Sequence, residues 1–240
     1  MAIFVDVKMN FCILNKNQVT FRSFLISRGC RLTSDTAARI YCAQGVVEMH
    51  EGPNRDDAWE LLTEFTDNPS LIKHALGVEA AMRAYARRFG EDEDIWGTIG
   101  LVHDFDYQQN PTEDTHLHVG TKILRERGWP EEWIGVIASH ADYMGVPRDT
   151  TAAKALFAVD ELSGFLTACA LVRPDKAVAE VKVKSVKKKL KDKAFARGVN
   201  REDVRRGAEE LGVDLDQHIA FVRDAMATIS DQLELPPRNP

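Results

Sequence analysis

From Asn54 onward, apolar residues return every three or four positions, and Gly, Pro, Asn and Asp signals cut the pattern into lengths that suit helices. Asn54 is placed to cap a first helix on which Trp59, Leu62 and Phe65 share a face. Further helices are expected over 69–89, 93–104, 114–128, 131–141, 150–171, 174–192, 201–211 and 214–233, divided by signals such as NPS, RFGED, QQNP, GWP and RPD. No segment reads as a strand pair and no internal repeat is visible. Short connections between many amphipathic helices predict an all-α bundle.

Residues 1–48 differ in texture. They hold three of the four cysteines, show little helical periodicity and mix β-branched with polar residues, so they have no clear structural reading. The expected organisation is an N-terminal extension over 1–48, poorly ordered or preceding a true start at Met49, then a domain over 49–172 and C-terminal helices over 173–240 packed on it. At 240 residues, 44% hydrophobic and 28% charged, the chain can bury one substantial core. A net charge of −6 argues against a surface built throughout for nucleic acid or an anionic membrane. No run approaches the ~18 apolar residues of a membrane span. The start lacks the basic-then-apolar order of a signal peptide, so the protein is expected to be cytoplasmic. Cys12, Cys30, Cys42 and Cys169 form no CxxC pair and read as reduced, incidental thiols.

The chemistry-bearing residues stand on apolar faces. His74 shares its face with Leu71, Val78, Ala81 and Met82; His140 with Trp133, Val136, Ile137 and Met144; Asp160 with Ala153, Leu156, Phe157 and Gly164. His103 and Asp104 end the apolar run IWGTIGLVHD. In HLHVG, His116 faces with Gly120, Ile123 and Leu124, whereas His118, about 200° away on a helix, faces with Lys122 and Arg125. His116 is therefore the inward residue and His118 the surface one. A buried carboxylate or imidazole is costly unless compensated. Taken singly, each inward histidine reads as a hydrogen-bonded core residue, and an HD dipeptide arises readily by chance. Taken together, His74, His103, Asp104, His116, His140 and Asp160 are explained more economically by one shared divalent ion. Imidazole and carboxylate ligands without thiolates do not suit a purely structural zinc.

This ordered set, H…HD…H…H…D in an all-α context, resembles the HD superfamily of metal-dependent phosphohydrolases over about residues 55–171. LIKHALGVEAAM is similar to the first-histidine helix, IGLVHDFD to the HD signature, HLHVGTKIL to the helix that follows, IASHAD to the fourth-histidine helix and AVDELSG to the final aspartate helix. The remainder to residue 233 resembles the tail of a bacterial branch of predicted HD hydrolases. Many relatives continue HD with Ile-Gly and a basic residue. This chain has Phe105-Asp106, which sets a negative charge where relatives offer substrate a cation.

The resemblance implies an HD-domain helical bundle with additional C-terminal helices. It implies one or two divalent ions, with Fe, Mn, Co, Ni, Mg and Zn not distinguished. His74, His103, Asp104 and Asp160 would hold the first, His116 and His140 a second, and Asp104 would bridge. The implied reaction is phosphoester hydrolysis by metal-activated water, with Asp104 and His103 at its centre. The implied partner is a phosphorylated small molecule or nucleotide, with no membrane and no nucleic acid involved; a homodimer stays open. Ser163 and Gly164, three and four residues after Asp160, would leave room for substrate, and Lys154 and Arg148 are the nearest basic candidates. Asp106 and Asp142 would orient ligand histidines, with capping or solvent exposure as their plainer reading. The lysine-rich run 181–193 reads first as a solvated helix face, with Lys184, Lys187, Lys188 and Lys191 outward, and second as help with an anionic substrate. The competing functions are an HD-fold di-iron oxygenase using the same ligands and a non-catalytic binding or signalling module.

Overall fold

A computed structural model of the chain describes residues 10–15, 18–23, 31–32, 39–42, 45–48 and 52–236. Two compact units divide it, Met1–Glu51 and Gly52–Pro240.

In the first unit, β1 (Asn10–Asn15) pairs antiparallel with β2 (Gln18–Ser23), in a register from Asn10 opposite Ser23 to Asn15 opposite Gln18. The strands β3 (Arg31–Leu32), β4 (Arg39–Cys42) and β5 (Gly45–Glu48) form a second antiparallel sheet in sequence order. This corrects the expectation that no segment forms a strand pair. Phe11, Ile13, Val19 and Phe21 are strand-favouring residues, but each run is only six residues long, too short for its alternation to stand out without its partner. Cys30 and Met49, with the alternative start, lie outside the described residues.

The second unit is all-α, as expected. Helix α1 (Arg55–Phe65) opens on a capping box: the Asn54 side chain accepts from Asp56 N and Asp57 N, and Asp57 accepts from Asn54 N. Helix α2 (Pro69–Phe89) has the predicted bounds, with Asn68 capping it, Pro69 in the first turn and Gly90 closing it at φ 74°. Then follow α3 (Glu93–Val102), α4 (His118–Glu126), α5 (Glu131–Ser139) and α6 (Thr151–Leu171). Helices α7 (Val183–Lys189), α8 (Arg201–Glu210) and α9 (Leu215–Ala227) complete the unit.

Three expected helices are shorter, by more than two residues, than the pattern suggested. The span 174–192 contains a 3-10 turn at Val178–Glu180 and the short α7. Lys187 with Lys191 would stack like charges one turn apart if the helix ran on past Lys189, as Lys184 and Lys188 already do within α7, and four valines add no helix preference. Val181, Val186 and Leu190 are buried, while Lys187 pairs with Asp216 at 2.7 Å and Lys189 lies 4.0 Å over the Phe195 ring. The 214–233 span is helical only to Ala227, after which turns bring Leu233 and Leu235 into the core. Helix α4 begins at His118 instead of residue 114, because Leu117 takes φ 61°.

Helix α6 runs through the centre, packing on α2, α5, α8 and α9. Its Leu156, Val159, Leu162, Phe165 and Leu166 join Val78 and Met82 of α2 and Ile219 and Val222 of α9 in one apolar cluster. At α6–α8 the backbones meet closely, since a Cβ on Gly207 would stand 2.6 Å from Ala158 Cα. The C-terminal helices thus share the core that positions the central histidines. No helix among the described residues is long and apolar enough to cross a membrane.

Candidate metal centre

Five separate pieces of chain deliver the side chains. His74 comes from the middle of α2 and Asp160 from the middle of α6; His103 caps the end of α3 with Asp104 next to it; His140 caps the end of α5; His116 lies in the turn before α4. Two groups result whose nitrogen and oxygen atoms lie within 4.8 Å of one another: His74, His103, Asp104 and Asp160, and then Asp104, His116 and His140. Asp104 belongs to both, and its two oxygens divide between them. Oδ2 is 3.5 Å from His103 Nε2, while Oδ1 is 3.1 Å from His116 Nε2 and 3.2 Å from His140 Nε2. In the first group, Asp160 Oδ1 is 2.9 Å from His74 Nε2 and 3.4 Å from His103 Nε2.

The backbone sets which histidine nitrogen faces inward. His103 donates its Nδ1–H to the Gly100 carbonyl at 2.8 Å and His140 its Nδ1–H to the Ile137 carbonyl at 2.6 Å, the geometry of a side chain folding back on the helix it terminates. A carbonyl only accepts, so Nδ1 carries the proton and the neutral ring turns its Nε2 lone pair toward the carboxylates. His103 is fully buried, and its Nε2 has no hydrogen-bond partner among the described residues. Lone pairs facing carboxylate oxygens require a positive charge between them, and a divalent ion bound by imidazole and carboxylate supplies one. Without it, protons serve. Burial disfavours a charged His103, His140 or His116, yet the adjacent Asp104, with Asp160 or Asp106, raises all three, His116 to about 9. Burial pushes the Asp104 and Asp160 carboxyls up, but the surrounding histidines outweigh it and hold both below the usual carboxylate range. The residues present fit a metal ion.

His116 reaches the centre in an unexpected way. The shared face with Gly120, Ile123 and Leu124 does not exist, since the helix starts two residues later. The left-handed Leu117 instead turns His116 inward and leaves His118 exposed at the first helical position. Asp106 stabilises this turn. Fully buried, it accepts from His116 Nδ1 at 3.0 Å, from Leu117 N at 3.2 Å and from Gly120 N at 3.0 Å. It therefore orients a histidine and caps α4 from a distance, and its charge is directed into the protein instead of toward a substrate.

Residues 71–164 match the family model of the HD domain, a span that begins just before His74 and ends just after Asp160. The chain carries an HD domain. No curated protein matches the chain.

The other candidate residues fall in different places around the HD domain centre. Gly164 lies beside it, its Cβ position 3.9 Å from His74 Nδ1. Ser163 is buried and donates to the Val159 carbonyl at 2.6 Å, so its hydroxyl is spent within α6. Lys154 is half-buried and makes no ion pair among the described residues. Arg148 is not brought to the centre: it forms a two-point pair with Glu210, donates to the Ser139 carbonyl and lies 3.8 Å over the Phe157 ring. Asp142 holds no histidine; Arg148 at 2.8 Å and Arg206 at 2.5 Å take its two oxygens.

Two residues had no part in the sequence reading. Tyr107 and Tyr143 flank His116, their ring centroids 5.1 and 6.4 Å from its own, and both are about two-fifths exposed, at 40% and 38%. Burial, and then the negative charges of Asp104, Asp106 and Glu113, raise the Tyr143 phenol and keep it a proton donor. Each tyrosine follows a central residue by three positions, Asp104 and His140, and that spacing was the available signal.

Proposed function

We propose that this HD domain is a metal-dependent phosphohydrolase that cleaves a phosphoester, a nucleotide or another phosphorylated small molecule. The division of the Asp104 oxygens between two histidine groups carries the reading, because a shared carboxylate is what a paired-ion hydrolytic site requires. His74, His103, Asp104 and Asp160 would hold one ion, and Asp104, His116 and His140 the other. When bound, such ions supply Lewis acidity toward a phosphoryl oxygen and make water acidic enough to attack phosphorus near neutral pH.

The chain's own contribution is to prepare this arrangement in advance. Gly100 and Ile137 carbonyls and the Asp106 carboxylate hold the Nδ1 protons of His103, His140 and His116, so that each Nε2 is aimed without reorganisation. The apolar cluster of α2, α3 and α6 limits water behind the site. Asp104, Asp160 and His74 keep about a fifth of their side-chain surface exposed, at 23%, 18% and 21%, so these groups are not sealed from solvent.

The deciding experiment is a metal-supplemented panel of nucleotides and simple phosphoesters, with bound metal measured in parallel and oxygen excluded in duplicate samples. Phosphate release that needs metal and not oxygen is expected. Metal binding accompanied by oxygen consumption and no phosphate release would overturn the reading.

A further inference from the structure

Among the described residues, Tyr107, Tyr143 and Val119 are three of the large apolar side chains left exposed, and all three lie in the segments that build the His116 side of the centre. Tyr107 stands nearly perpendicular to His116, at 85°, and Tyr143 spans from His116 to His118, 6.4 Å from each ring. Exposed aromatic surface is costly to hold in water and favours a flat partner. Here it adjoins the group of Asp104, His116 and His140.

Tyr143 is also held in place. It sits in the 3-10 turn Asp142–Met144, and Asp142 is gripped by Arg148 and Arg206 together. Both guanidinium groups stack on Phe157, at 3.8 and 4.7 Å, and Glu210 fixes Arg148 through two hydrogen bonds. An isolated surface ion pair contributes little, but planar groups packed on one buried ring and sharing two carboxylates form a rigid brace. The brace ties the turn bearing Tyr143 to α8, one of the C-terminal helices.

We infer that Tyr107 and Tyr143 form a subsite for a flat, unsaturated organic group attached to the phosphoryl group, and that Arg206 is a positioning residue acting through Asp142. This rests on the phosphohydrolase reading and adds the substrate's shape to it. The tyrosines contribute ring faces, so their hydroxyls are dispensable.

The test is binding of phenylphosphonate and methylphosphonate to the full chain loaded with Mn²⁺, followed by calorimetry, with metal content measured for every variant. Wild-type protein is expected to prefer phenylphosphonate by about tenfold. Tyr143→Phe keeps that preference; Tyr143→Leu loses most of it while methylphosphonate affinity and metal content stay unchanged. Arg206→Gln lowers the phenyl preference with methylphosphonate affinity intact, which a general loss of stability would not do. An undiminished preference in Tyr143→Leu, or equal affinity for the two ligands in wild type, overturns the subsite alone. Failure of the Mn²⁺-loaded wild type to bind either phosphonate overturns the phosphohydrolase reading together with the subsite.

Discussion

The Asp106 carboxylate fills the space that a Cβ on Gly120 would need, with Asp106 Cγ only 2.8 Å from that position. A methyl group there must displace a buried carboxylate that holds His116 Nδ1 and two backbone N–H groups at the start of α4. Gly120→Ala is expected to weaken metal binding about 10- to 100-fold through the loss of His116 orientation. Metal titration followed by calorimetry checks it, and unchanged affinity would show that His116 does not depend on Asp106.

Asp104→Ala removes the oxygens common to both groups. Phosphatase activity should vanish while helical content is retained. Divalent metal at about a hundredfold excess over Kd should raise the wild-type Tm by roughly 5–10 °C, and chelation should reverse the rise. The variant should show no such rise. Thermal unfolding with and without metal measures both, and full activity in Asp104→Ala would remove the HD pair from the chemistry.

His218 contributes stability that is lost in mild acid, opposite in sign to the histidines of the centre. Burial lowers its pKa to about 4, outweighing the backbone hydrogen bond to Ala158 that favours the charged ring. Nε2–H donates to the Ala158 carbonyl at 2.9 Å and Nδ1 accepts from the Tyr85 hydroxyl at 2.6 Å. Between the unfolded value of 6.5 and about 4, the unfolded chain binds the extra proton. Stability is therefore full above that window and declines as pH falls through it, by up to about 3 kcal/mol. His218→Gln should remove this component, as seen in the difference between denaturant unfolding at pH 7.5 and pH 4.5 for the two proteins. An equal change in both would exclude His218 as a contributor.

Gly207→Ala sets a methyl group 2.6 Å from Ala158 Cα, a backbone atom that cannot rotate away. Helix preference favours alanine by about 1 kcal/mol, but forcing α8 from α6 costs about 1–3 kcal/mol or more, so a net loss of stability is expected. Urea unfolding provides the measurement, and a stabilised variant would mean that the two helices separate easily.

Helical class, the bounds of α2 and the cap at Asn54 were legible because periodicity and capping are local: each depends on residues within a turn or two of one another. The gathering of the six central side chains was legible for a related reason, since a histidine or carboxylate on an apolar face must be buried and must then be compensated. The helical face that would turn His116 inward and His118 outward is absent; Leu117 at φ 61° turns His116 inward instead. Tertiary structure alone decided which Asp104 oxygen meets which histidine, that Asp106 points inward, that Arg148 braces Asp142 instead of facing a substrate, and that the helix expected over 174–192 shrinks to Val183–Lys189 with a 3-10 turn before it. These depend on partners far apart in the chain, Arg148 with Glu210 and Asp142 with Arg206 among them, and the spacing of residues along one helix carries no information about what stands across from it.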